Sequence, residues 1–260
     1  MTAIPTKICV RVIARDGKFL GDDIGGAAVT IRDAWTKELL AHGITTGTSG
    51  PNAPVGVMCV SLRRGQPLPT TGASAFNAIL NLTRPTFIEV NATGPLAARQ
   101  SANTVSATQW IYPGKDVTAG NGFLLEIPGL IVQIIDPPTH FTPEVYQDLY
   151  IRANVAMMCG CPIEPKHGKT KICADLPDKD QPWLPKEFEV KAIIRSGDVD
   201  VAEVPLVFTQ IPPANTAGQF TGTWTPPKAG GTFEITVYAY QGANGNTGVD
   251  AATAIIPGAT

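Results

Sequence analysis

Apolar and polar residues alternate with a period of two along most of this chain, and the alternating runs are short. Lys7 to Arg15 is rich in β-branched residues and stops at the turn pair Asp16-Gly17. Gly25 to Asp33 alternates after a glycine break, and Leu39 to Ile44 leads into Thr45-Thr46-Gly47-Thr48-Ser49-Gly50. Further strands are expected at 55–62, 74–82, 86–92, 104–112 and 122–127, then at 149–158, 188–196, 201–211, 219–225, 231–241 and 246–257. Spacings of about ten residues with turn signals between them argue for sandwiches or barrels. Asp33 to Leu40 has room for one short helical turn, and no long 3.6-residue periodicity is present.

Composition strengthens the β reading. Charged residues make up 16% of the 260, below the usual quarter, while 26 Gly and 23 Pro favour turns over helices. Low charge also suits a surface committed to partners. The length fits two ordinary domains with substantial cores. The best boundary is the strand around Leu130 to Asp136 running into Pro137-Pro138, which divides the chain into 1–136 and 137–260. A net charge of −2 sets up no field for nucleic acid, and no apolar run is long enough to insert in a membrane. Met1 to Lys7 lacks the basic start and apolar run of a secretory signal, so the chain reads as soluble and without an export address of its own. The acceptor patterns Asn81-Leu82-Thr83 and Asn91-Ala92-Thr93 mean little without a secretory route.

Gly26-Ala27-Ala28-Val29-Thr30-Ile31-Arg32-Asp33, followed by Gly43-Ile44-Thr45-Thr46-Gly47, resembles the opening of transthyretin-like, carboxypeptidase-regulatory-like domains. At the other end, Gly231-Thr232-Phe233-Glu234-Ile235-Thr236-Val237-Tyr238-Ala239-Tyr240 and the turn Gly245-Asn246-Thr247-Gly248 resemble the last strands of bacterial immunoglobulin-like domains. Together the resemblances imply an all-β protein: two antiparallel β-sandwiches in tandem, transthyretin-like then immunoglobulin-like. They imply a structural or binding module and no activity. The antibody-type disulfide is absent, because strand 232–240 contains no cysteine.

Candidate chemistry gathers in one stretch, Met157-Met158-Cys159-Gly160-Cys161-Pro162, with His167 and Cys173 close behind. Ile151, Ala153, Val155 and Met157 share the apolar face of their strand, and extending that phase puts Cys159 and Cys161 on the same side. Pro162 ends the strand, and the loop 159–187 is long enough to need an anchor. Cys159, Cys161, His167 and Cys173 would complete a tetrahedral Zn²⁺ site, while Met157 or Met158 would join a Cu⁺ version. A disulfide from Cys173 to Cys161 or to Cys159 would pin the loop equally well. Three unpaired thiols beside a core are the plainest alternative. Five cysteines rule out complete pairing within one chain, and Cys9 and Cys59, each in an apolar run, read as buried thiols.

Other residues add less. His42 and His140 each stand alone in the sequence, and no nucleophile elbow, zinc-protease, phosphate-loop or dinucleotide motif is present. Asp175, Asp178, Asp180 and Glu187 read as a solvated acidic loop, because the ordered calcium-loop pattern is missing. Trp110-Ile111-Tyr112-Pro113-Gly114 and Pro182-Trp183-Leu184-Pro185 place aromatics beside prolines. If exposed they offer contacts for sugar or protein; otherwise they cap the ends of the sandwiches. The reading is therefore a non-enzymatic accessory or interaction protein that meets protein partners or further copies of itself. Its loop serves as a docking or metal-binding element, and the rival is a metal-handling or redox protein using Cys159 and Cys161.

Overall fold

The computed structural model describes residues 2–51, 56–59, 62–164, 172–173, 175–209 and 218–259. The fold is all-β, with four sheets shared equally between two compact units. The first unit comprises Met1–Pro128 and Lys166–Pro182, and the second Gly129–Pro165 and Trp183–Thr260. Among the described residues no helix is long and apolar enough to cross a membrane.

The strands of the first unit are β1 (Ile4–Ala14), β2 (Ala28–Asp33), β3 (Leu39–Ile44), β4 (Phe76–Leu82), β5 (Thr86–Gly94), β6 (Asn103–Ile111) and β7 (Phe123–Ile127). One sheet runs β4-β1-β7 and the other β3-β2-β5-β6. Every pairing is antiparallel except β1 with β7, which runs parallel from Val10↔Phe123 to Ala14↔Ile127. Period-two patterning decides which face is buried. In β5, Ile88, Val90 and Ala92 are fully buried, while Phe87, Glu89, Asn91 and Thr93 between them are half-buried and face outward. Ile8, Val10 and Val12 of β1, Val29 and Ile31 of β2, and Leu125 and Ile127 of β7 supply more of the core. Each such side chain contributes about 1.5–3 kcal/mol by leaving water.

The second unit is built from β8 (Leu130–Asp136), β9 (Leu149–Met157), β10 (Phe188–Ser196), β11 (Val199–Pro205), β12 (Val207–Phe208), β13 (Gly218–Trp224), β14 (Gly231–Gln241) and β15 (Asn246–Ile256). Its sheets run β12-β13-β9-β8 and β11-β10-β14-β15. The hairpin between β14 and β15 closes on a buried amide pair: Asn246 Nδ2 donates to Gln241 Oε1 at 2.9 Å, and Asn246 Oδ1 accepts the Gly129 N–H at 3.1 Å.

Three differences from the sequence reading have physical causes. The chain passes from one unit to the other at Pro128–Gly129, one strand ahead of Pro137-Pro138, because β8 pairs antiparallel with β9 and so opens the second unit. The described part of 55–62 is no strand: Cys59 donates its N–H to Gly56 O in a turn, and Val57 packs with Phe19 and Ala73. Val57 thus fills a core from a loop. The phase of β9 also stops at Met157. The Gly160 N–H bonds to Met157 O, the Met157 N–H bonds to Cys161 O, and Gly160 takes a φ of 79° that suits a residue without Cβ. Cys159 and Cys161 therefore lie in a reversing turn, where an extended-strand parity no longer aims their sulfurs together.

Candidate functional site

Cys173 forms a disulfide with Cys59, 114 residues away, and both belong to the first unit. The disulfide alternative paired Cys173 with Cys159 or Cys161, and Cys59 was read as a buried thiol; the bridge corrects both. A sulfur committed to a disulfide offers no thiolate, so Cys173 cannot serve as the fourth ligand of a Zn²⁺ or Cu⁺ site in this state. Cys159 is buried, Cys161 half-buried, and neither is in a disulfide. His167 lies outside the described residues. Among the described residues no three His, Cys, Asp or Glu side chains come together as metal ligands.

The described residues from Cys173 to Gln181 gather around one amide. Gln181, 2% exposed, accepts the Cys173 N–H through Oε1 at 3.0 Å. Its Nε2 donates to Cys173 O at 2.7 Å and to Leu176 O at 2.9 Å. A buried glutamine that satisfies backbone groups on two sides holds a loop without regular structure. Trp183 is completely buried, which makes it core, not contact surface.

Trp110 has the opposite fate. It is 53% exposed at the end of β6, and Trp35, in the turn between β2 and β3, is 70% exposed. With Phe87 of β5 they form a cluster on the outer face of the β3-β2-β5-β6 sheet. The ring centroids of Trp35 and Trp110 lie 5.1 Å apart with planes at 80°, and those of Phe87 and Trp110 lie 5.2 Å apart. Trp35 and Phe87 are 5.9 Å apart. Sheet register puts Phe87 directly opposite Trp110. Trp35 is brought over them by its turn, where the Ala34 N–H bonds to Phe87 O at 2.8 Å.

That turn is built by Asp33. Its Oδ1 accepts the backbone N–H of Trp35 and of Thr36, each at 2.9 Å, and its own peptide groups bond to Glu38 O and the Lys37 N–H. The N–H bonds from Thr36 and Trp35 hold the Asp33 carboxyl below its ordinary range, with Arg84 helping. With both N–H groups of the turn bonded to its carboxylate, Asp33 is a turn-builder. It also borders an open polar recess of about 590 Å³ lined by Glu38, Asn81, Thr83, Arg84 and Thr86 among others.

Beyond the aromatic end, the outer face is polar in register along β5 and β6, with the exposed apolar residues Leu39 and Ile44 on the edge strand β3. Arg32 stands opposite Glu89 and Glu89 opposite Thr108; Thr30, Asn91 and Ser106 form the next row, and Thr93 and Thr104 the next. Thr93 and Thr104 share a hydroxyl–hydroxyl bond of 2.8 Å. His42, exposed on β3, extends the middle row opposite Thr30. The sequence pointed to Trp110 through its Trp-Ile-Tyr-Pro context; Trp35 and Phe87 were missed, because only strand pairing unites three aromatics so far apart in the chain.

No family model and no curated protein matches the chain. Among solved structures it is similar to the fibronectin(III)-like modules of Clostridium thermocellum CbhA, at 9% identity and a TM-score of 0.27, covering 98% of this chain and 95% of that one. It is similar also to the titin domains Z1Z2 in complex with telethonin, at 10% identity and a TM-score of 0.26, covering 100% of each chain. Likenesses this faint add nothing to the architecture described above.

Proposed function

We propose that this chain is a non-enzymatic binding module that engages its partner through the outer face of the β3-β2-β5-β6 sheet, with Trp35, Phe87 and Trp110 as anchor. One observation carries the reading: two tryptophans more than half exposed are held against each other by a dedicated turn, at the end of an ordered polar face. Tryptophan left in water is a large apolar surface not used for folding, and it is the side chain most enriched where binding energy concentrates. The rings are restrained by one another, so little freedom remains to be lost on binding.

The 159–187 excursion has a supporting part in this reading. Its described portion is tied by Cys59–Cys173 and Gln181, which suits a tether better than a metal loop. The four-ligand Zn²⁺ site needs Cys173 as a thiolate, which the bridge withholds, and the rival reading through Cys159 and Cys161 has no further His, Cys, Asp or Glu gathered with them among the described residues.

The test uses the full chain and a Trp35→Ala/Trp110→Ala double variant, each immobilised and exposed to protein, polysaccharide and lipid fractions of the source cells. One fraction should be retained by the natural chain and lost by the variant, with unchanged melting of the second unit. Equal retention by both chains in every fraction, or none by either, rejects the proposal.

A further inference from the structure

Resting on that binding reading, we infer that the partner is a neutral glycan, lying along β5 and β6 with a pyranose ring stacked on Trp110 and flanked by Trp35. The chemistry of the face selects it. A pyranose presents an apolar C–H surface to an aromatic ring and a rim of hydroxyls to its sides. Trp110 and Trp35 stand at 80°, so one indole can offer its face while the other forms a wall.

Past the aromatic end the strip along β5 and β6 turns polar at once, with Thr108 and Glu89, then Ser106 and Asn91 beside Thr30 of β2, then Thr104 and Thr93, while the exposed apolar residues Leu39 and Ile44 lie on the edge strand β3. Hydroxyl and amide groups both donate and accept, as sugar hydroxyls do. The apolar centre and polar rim of a protein-docking patch would ring the aromatics with contact area on all sides. Here the aromatics sit at one end of a polar strip. From Thr104 to Trp110 the strip measures roughly 20 Å at the rise of a β-strand, enough for a short oligosaccharide.

Charge excludes the polyanionic ligands that also use flat sheet faces. The face, its hairpin and the recess beside it carry Arg32, Lys37 and Arg84 against Asp33, Glu38 and Glu89, an even balance, and Lys37 is already paired with Glu89 at 3.0 Å. Nucleic acid and sulfated or uronic glycans need a surplus of cations, which is absent among these residues.

The decisive experiment measures binding of the full-length chain to cellohexaose, xylohexaose, mannohexaose and chitohexaose by calorimetry and tryptophan fluorescence, with heparin as the anionic control. At least one neutral hexasaccharide should bind and shift the fluorescence. Trp110→Ala should weaken it by about tenfold or more, and Asn91→Ala by several-fold, with melting unchanged for Asn91→Ala. Three results overturn the inference: no neutral sugar bound, heparin bound in preference, or sugar binding indifferent to both Trp35→Ala and Trp110→Ala. If the protein fraction of the previous experiment is retained through the tryptophans while no sugar binds, the glycan assignment fails and the binding reading survives. If no fraction depends on the tryptophans, both fail.

Discussion

The carboxylate of Asp33 accepts the backbone N–H of Trp35 at 2.9 Å, and through that bond a residue facing the interior fixes a residue facing solvent. Asp33 occupies the last inward position of β2 and is 8% exposed, so its negative charge is spent on the turn. Asp33→Ala leaves the N–H groups of Trp35 and Thr36 without their acceptor and should lower the melting temperature of the first unit. Near-ultraviolet circular dichroism should register the change as a loss of the signal from the Trp35–Trp110 pair. An unchanged spectrum would mean that the turn holds itself.

The same residue makes the turn sensitive to acid. The folded-state pKa of Asp33 lies below its ordinary value of 3.8, so its ionised form contributes stability above that value. The contribution is lost as pH falls through the lower folded-state pKa. Melting temperatures of the natural chain and of Asp33→Asn should differ most near neutral pH and converge in strong acid. A gap that widens on acidification would contradict the sign.

Removing the Cys59–Cys173 bridge should cost the first unit on the order of 2–4 kcal/mol, because the crosslink closes a very long loop. The unreduced chain unfolded in denaturant should titrate three thiols, from Cys9, Cys159 and Cys161, and the reduced chain five. Five thiols before reduction would show that the bridge does not form.

Truncating Trp110 should cost little in folding. Its edge-to-face contact with Trp35 is worth about 0.5–1.5 kcal/mol, and much of the ring is already in water. Chemical denaturation of Trp110→Ala should show a loss in that range. A loss typical of core aromatics, about 3–5 kcal/mol, would identify the cluster as structural.

On the second unit, the Tyr238 hydroxyl donates to Glu189 Oε1 at 3.0 Å, and Lys191 bridges Glu189 and Glu203. Partial burial and the Glu189 carboxylate push the Tyr238 phenol above the usual tyrosine range. Spectroscopic titration should find Tyr238 ionising late, and Glu189→Gln should bring its ionisation earlier. An identical titration in the variant would deny the contact.

Much of the fold was legible, because a half-buried strand writes its two faces in alternating residues. Strands 188–196 and 231–241 fall where the pattern places them, since Val190, Ala192 and Ile194, and likewise Ile235, Val237 and Ala239, alternate without interruption. The described part of 201–211 divides into β11 and β12 because Pro205-Leu206 turns the chain between sheets, and alternation says nothing about which sheet a strand joins. The site was harder to read. Cys59 and Cys173 carry no local sign of each other, and the pairing of Phe87 with Trp110 is a matter of register. Trp35 sits in a turn, where the hydrophobic pattern is silent.

During synthesis, Cys59 leaves the ribosome well before its partner, 114 residues downstream. In that interval the chain makes β4 to β9, so the first unit cannot be sealed until part of the second has emerged. A nascent chain halted after β7 would carry an unmatched sulfur, open to the wrong partner. The order in which the halves are completed is therefore interleaved, and an oxidant that acts late would favour the native product over one that acts early.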